Sequence, residues 1–152
     1  MGATHLDELH WLPGWRERSD AELVALVERV VVGERWVVEG NYVSVRSRFL
    51  ERADFVLWLD LPLSTCVPRI VRRTLDRARR RAVCCNGNTE RWFTLLHPKK
   101  EVNLLLWALS TDDRRRRDYL RELAPLPTVR LRSARDAAAW SRALAPGSDG
   151  TA

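Results

Sequence analysis

The sequence predicts an α/β fold, a parallel sheet with helices on both faces. Two observations carry this. Short apolar runs, Trp36-Val37-Val38 and Phe55-Val56-Leu57-Trp58-Leu59, read as strands buried on both faces. Longer stretches with helical spacing separate them, and strands alternating with helices form parallel sheets. At 152 residues, 45% hydrophobic and 30% charged, the chain has the length and composition of one globular domain with a real core. The expected domain covers residues 1–145, with a flexible tail at 146–152.

The elements follow in order. Thr4 to Asp7 reads as a short strand, and Trp11 to Arg18, with Pro13-Gly14, as a loop. Ser19-Asp20-Ala21-Glu22 is a capping box, and Leu23, Leu26, Val27, Val30 and Val31 repeat at helical spacing up to the stop at Gly33. Arg35 to Glu39 is a buried-type strand ending at Gly40, and Asp54 to Asp60 a second, closed by Pro62. An arginine-rich helix is expected from Ser64 to Arg81, its first full turn delayed by Pro68. Cys84 to Pro98, with Asn86-Gly87-Asn88, reads as a loop-rich insert. Lys100 to Leu123 is the next helix, with Val102, Leu105, Leu106 and Leu109 as its apolar stripe, and Pro125 and Pro127 break it. Thr128 to Arg132 is the last strand. Ser133 to Leu144 is the last helix, buried through Ala137, Trp140 and Leu144.

Composition removes several function classes. No apolar run approaches the ~20 residues that span a bilayer, and neither a basic segment nor an apolar signal core follows Met1, so a cytoplasmic protein without a membrane partner is expected. Cys66 stands apart from the adjacent Cys84 and Cys85, and His5, His10 and His97 are scattered, which offers neither a disulfide framework nor zinc spacing. Net charge is +6, and of 26 basic residues only Lys99 and Lys100 are lysines. Arginine forks match phosphate oxygens, but a GC-rich genome also spells basic residues as arginine, so only arginines at meaningful positions count. The basic helices lack interleaved aromatics and any helix-turn-helix or zinc-finger spacing, which disfavours nucleic acid as the partner. Nothing in the sequence sets an oligomeric state.

In parallel sheets ligands lie beyond the carboxyl ends of the strands. Asp7, Glu39 and Asp60 stand at those ends, the residue type that a phosphoryl-transfer site uses to hold a magnesium-bound water and orient an acceptor hydroxyl. Each has a plainer role available. Asp60 can cap the turn into Pro62, and Asp7 the loop before His10. Glu39, directly after Trp36-Val37-Val38, is costly near a core without a partner. Arg69 and Arg73, four apart on one helix, can clamp two phosphates, with Arg72 and Arg77 on the same stripe; a solvated basic helix has the same pattern. His10, Trp11 and Trp15 offer a flat stacking wall for an acceptor, or core filling.

Four blocks carry a resemblance: Leu6-Asp7-Glu8-Leu9-His10-Trp11-Leu12-Pro13-Gly14-Trp15, Trp36-Val37-Val38-Glu39-Gly40-Asn41-Tyr42, Trp58-Leu59-Asp60-Leu61-Pro62 and Leu105-Leu106-Trp107-Ala108-Leu109. In this order, from about Thr4 to Leu144, the chain resembles the bacterial adenylate-kinase-like P-loop proteins often labelled topology modulation proteins. The resemblance implies a nucleoside-monophosphate-kinase-like fold with ATP and magnesium. Glu39 matches the acidic residue of the magnesium-water position, usually Asp. Arg69 and Arg73 match lid-base arginines, residues 77–98 a short lid, and Arg114 and Arg117 the post-lid arginines, in an uncertain register because four arginines run together. Asp7, His10 and Trp11, with Gly40, Asn41 and Tyr42, fall in segments that bind a nucleotide or other small-molecule acceptor.

One part of the family pattern is lacking. No Gly is followed by Lys, so G-x-x-x-x-G-K-[ST] cannot be drawn. The resemblance places a strand, phosphate loop and helix of roughly 30 residues ahead of Thr4. Without them the expectation is an inactive chain whose strands form two pairs with an apolar slot between. Two readings follow: a kinase whose first segment is not in this chain, or a non-catalytic remnant that binds an anion or a protein.

Overall fold

The computed structural model describes residues 2–99 and 102–144; the expected tail at 146–152 and the expected helix start at Lys100 lie outside them. The fold is α/β. By packing, the chain divides into two compact units, one comprising residues up to Asp54 together with Arg72–His97, the other Phe55–Val71 together with the described residues from Pro98 onward.

The first unit opens with β1 (Ala3–His5) and a single-turn α1 (Leu6–His10). Asp7 therefore lies in the first turn of a helix and not at a strand end, a correction to the sequence reading. Trp11 to Arg18 is more ordered than a loop: β2 (Trp11–Leu12) and β3 (Arg16–Glu17) pair antiparallel across Pro13-Gly14. The capping box forms as read, with Ser19 and Glu22 each bonded to the other's backbone amide, and opens α2 (Asp20–Val31). Next come β4 (Val37–Glu39) and α3 (Val43–Leu50), a helix the sequence reading leaves unassigned. It has no side-chain cap; Val45 and Phe49, four apart, join it to the core. Leu6, Leu23, Val27, Val31 and Val45 form that core, with Leu9, Trp36, Val38 and Tyr42 packed around it. Full burial of each Leu or Val stabilises by about 1.5–3 kcal/mol.

In the second unit β5 (Val56–Leu59) is followed by α4 (Leu63–Arg80), whose second half belongs to the first unit. Pro68 neither ends nor delays α4: the helix starts at Leu63, and Pro62 accepts from the amides of Thr65 and Cys66. The insert is a hairpin, β6 (Val83–Cys84) with β7 (Asn88–Thr89), then a 3-10 turn over Trp92–Leu96. Asn103 accepts from the amides of Leu105 and Leu106, so α5 starts at Leu104 and runs to Glu122. After it come β8 (Thr128–Leu131) and α6 (Ala134–Leu144). Trp58 meets Tyr119 edge-on, and Phe55 stacks on Trp140.

The single sheet covered on both faces is not formed, while the two strand pairs expected without the phosphate-loop segment are. The long strands form two separate parallel pairs, β1 with β4 (His5 opposite Glu39) and β5 with β8 (Leu59 opposite Leu131). Nor are they buried on both faces. Leu57 is 41% and Leu59 58% exposed, while Trp58 between them is buried; in β4, Val37 is exposed and Val38 half-buried. Strands β1, β4 and β5 alternate in exposure, as strands of a one-sided sheet do.

Candidate functional site

The densest charged arrangement lies at the carboxyl ends of β5 and β8. Asp60 directly follows β5, and its side chain is 4% exposed. Arg130, the third residue of β8, stands opposite Trp58; its Nε donates to Asp60 Oδ2 at 2.8 Å, and its Nη2 bonds the same oxygen. The guanidinium also lies over the Trp58 ring, 4.4 Å from its centroid. From α5, Arg116 brings Nε to 3.3 Å from Asp60 Oδ1 and 3.1 Å from Asp112 Oδ2, while its Nη2 donates to the Leu61 carbonyl at 3.0 Å. The Nε hydrogen aligns with neither carboxylate and remains without a hydrogen-bond partner. Arg115 Nη2 donates to Asp112 Oδ1 at 2.6 Å. Asp60, Pro62, Arg116, Arg130 and Arg132 line an open cleft of about 390 Å³.

The four consecutive arginines are sorted by helix geometry. Arg115 and Arg116 lie three and four residues after Asp112, on its side of α5. Arg114 and Arg117, the positions matched by the resemblance, are exposed; Arg114 is 83% exposed and reaches only Asp118, at 3.7 Å. Asp60 acts as the centre of an ion-pair cluster and not as a turn cap. Breaking a buried pair by removing one partner costs about 3–5 kcal/mol.

Arg69 and Arg73 lie one turn apart on α4, both exposed, but fall in different units. Within the first unit, Arg77 Nη1 donates to Glu90 Oε1 at 2.6 Å, and Arg73 Nη2 is 4.0 Å from the same oxygen. The hydrogen bond to Glu90 holds the Arg77 guanidinium further in its charged form. Glu90 Oε2 is buried without a partner. A carboxylate of the insert therefore sits between the two arginines.

The acceptor-segment residues come together in the same unit. Tyr42 donates its hydroxyl to Asp7 Oδ1 at 2.8 Å, and burial followed by that bond raises its pKa well above the ordinary tyrosine value. The His10 ring lies 4.4 Å from Tyr42 and 4.8 Å from Trp11, and its buried Nδ1 has no hydrogen-bond partner. Asn41 Oδ1 accepts from Arg46 at 3.2 Å. Gly40 serves packing. At φ 137° its hydrogen faces Leu6, and a Cβ would come 2.7 Å from the Leu6 Cβ.

Glu39 is not near the core. Its side chain is 70% exposed and 2.6 Å from His5 Nδ1, the neighbour set by the β1–β4 register. No group of three or more His, Cys, Asp or Glu side chains among the described residues is placed to hold a metal ion.

Sequence reasoning missed Arg116, Arg130, Arg132, Asp112 and Glu90. A signal existed for two of them. Arg130 interrupts the apolar strand Val129-Arg130-Leu131, and such a charge requires a partner. Asp112 stands at ion-pair spacing before Arg115 and Arg116. No protein-family model, curated protein or solved structure matches the chain. No described helix is long and apolar enough to cross a membrane.

Proposed function

We propose that this chain is the phosphate-recognising part of an adenylate-kinase-like, ATP-dependent phosphotransferase acting on a nucleotide or another small-molecule acceptor. One observation carries the reading: three arginines against one carboxylate around a cleft at the carboxyl ends of a parallel strand pair. That is where ligands of parallel sheets bind. Arg132, which lines the cleft outside the Asp60 ion pairs, favours a phosphate-bearing ligand. The division of the strands into two parallel pairs is also what the resemblance leads one to expect of a P-loop kinase sheet without its central strand. The protein is proposed to work in the cytoplasm.

A second reading rests on the lack of any Gly-Lys pair in these residues. By itself the chain then binds anions without transferring a phosphoryl group, because arginines alone do not align the transfer. Both readings require the cleft to bind phosphate. Titration calorimetry with ATP, ADP and pyrophosphate is expected to show binding that weakens as salt rises. Arg132→Ala removes a cleft guanidinium without breaking the Asp60 cluster and is expected to weaken binding about tenfold at unchanged thermal stability. Equal affinity in Arg132→Ala and wild type would remove the cleft from the proposal. Phosphoryl transfer by the chain alone, followed with γ-labelled ATP, would exclude the second reading.

A further inference from the structure

The return strand of the insert, with Glu90 directly after it, attaches to the first unit at two points. One is Trp15. Asn88 Oδ1 accepts from the Trp15 amide at 2.8 Å, Asn88 Nδ2 donates to the Leu12 carbonyl at 3.0 Å, and the Thr89 carbonyl accepts from Trp15 Nε1 at 3.2 Å. Trp15 has a φ of 57°, which a bulky residue keeps only where its surroundings hold it. The other point is the arginine pair of α4. Exposure alternates along Asn88, Thr89 and Glu90, so Asn88 and Glu90 face the same way, one toward Trp15 and the other toward Arg77.

The second attachment is incomplete. The Glu90 side chain is 15% exposed, and its Oε1 takes the 2.6 Å bond from Arg77. Arg73 Nη2 stops 4.0 Å from the same oxygen, beyond hydrogen-bond reach. Oε2 is buried without a partner, so half of the carboxylate's accepting capacity is unspent. Two guanidiniums one helical turn apart suit an anion with oxygens for both, and a phosphate has them while one Glu90 oxygen does not.

We propose that Glu90 is an internal substitute for a bound phosphate, and that a pyrophosphate-type anion entering between Arg73 and Arg77 displaces it and frees Trp15. With Glu90 expelled, the strand that carries Asn88 and Thr89 loses its anchor on α4. The Trp15 amide and indole then lose their acceptors. Asn86, whose Nδ2 donates to the Glu8 and Trp11 carbonyls at 2.5 and 2.7 Å, keeps the hairpin tethered at its turn. Phosphate on α4 is thereby coupled to the segment that carries His10 and Trp11. The gate shares its ligand chemistry with the proposed function but uses none of the residues of the Asp60 cleft.

The test is amide hydrogen exchange at Trp15 in the whole chain, with and without pyrophosphate at a concentration that saturates the calorimetric binding. Pyrophosphate is expected to speed Trp15 exchange by about threefold or more. Glu90→Gln is expected to show part of that rise with no anion present. Arg73→Ala leaves the Glu90–Arg77 bond intact, so slow exchange is expected without the anion and about tenfold more pyrophosphate is needed for the rise. Arg132→Ala is expected to keep the Trp15 response, so failure of the cleft and failure of the gate read out separately. Trp15 exchange that stays constant or slows in the saturated wild-type chain would overturn the gate, as would a response lost in Arg132→Ala and kept in Arg73→Ala. Absence of any pyrophosphate binding would overturn both proposals. The wild-type comparison stands even where a variant fails to fold.

Discussion

At the scale of single residues, identity and role separate. Gly40 looks like a binding residue because it precedes Asn41 and Tyr42, yet the structure gives it a packing reason, its close approach to the fully buried Leu6. Gly40→Ala combines a disfavoured φ with a clash against a core side chain that has no room to yield. Chemical denaturation is expected to show a loss of about 2–4 kcal/mol, and a cost under ~0.5 kcal/mol would place Leu6 in a softer site than described. Asp60 shows the opposite case. It reads as a turn cap, and is instead held by Arg130 across the strand pair and Arg116 from α5, residues 70 and 56 positions later in the chain. Arg130 shows in the sequence that it needs a partner, but no local pattern says that the partner is Asp60.

Elements divide by where their stabilisation comes from. The start of α2 is local, because Ser19 and Glu22 satisfy each other's amides without help from the rest of the chain. The Ser19 hydrogen bonds, more than the charge of Arg18, hold the Glu22 carboxyl below its ordinary value. A carboxyl with a lowered pKa in the folded state adds stability above its unfolded pKa and loses it as pH falls through the folded one. Ser19→Ala loses the neutral cap on the Glu22 amide at any pH, an expected cost of about 1 kcal/mol, and pH-dependent melting is expected to show the cost somewhat smaller in acid, where Glu22 is protonated in both proteins. The insert hairpin is the contrary case, held by distant carbonyls through Asn86 and Asn88. Glu90, which follows the hairpin, occupies Arg73 and Arg77. If these arginines face a phosphate in the working protein, Glu90 has to leave first. Glu90→Gln is expected to raise pyrophosphate affinity by about threefold to tenfold, read by calorimetry; lower affinity would make Glu90 a support for the arginines.

At the scale of the whole molecule, each of the two units leaves apolar side chains in view. Leu57 and Leu59 lie exposed on β5 and Val37 on β4, while Leu104, Leu106 and Leu109 are exposed along α5. Exposed apolar groups that lie together mark a surface built to be covered. A dye such as ANS is expected to bind the isolated chain at neutral pH with a clear rise in fluorescence; a silent dye with cooperative unfolding would show these side chains to be ordinary scattered exposure.

The features legible in the sequence are those that local physics sets. The capping box and helical spacing define α2, Pro62 and the arginine-rich run define α4, and the apolar stretches define β5 and β8, all to within a few residues, because their signals lie inside the element. The α/β class followed from their alternation. Helix α3 stayed unread because nothing local caps it; packing against α2 supports it. The candidate site was legible in its segments and not in its partners. Asp60 and the arginine run could be named, but which of the four arginines turns toward that carboxylate depends on the side of α5 that meets β5. Glu39 was assigned to a buried position from its apolar neighbours, and the one-sided strand pair exposes it instead. Tertiary structure alone made those choices, since burial, ion pairing and strand coverage depend on residues brought together from far along the chain.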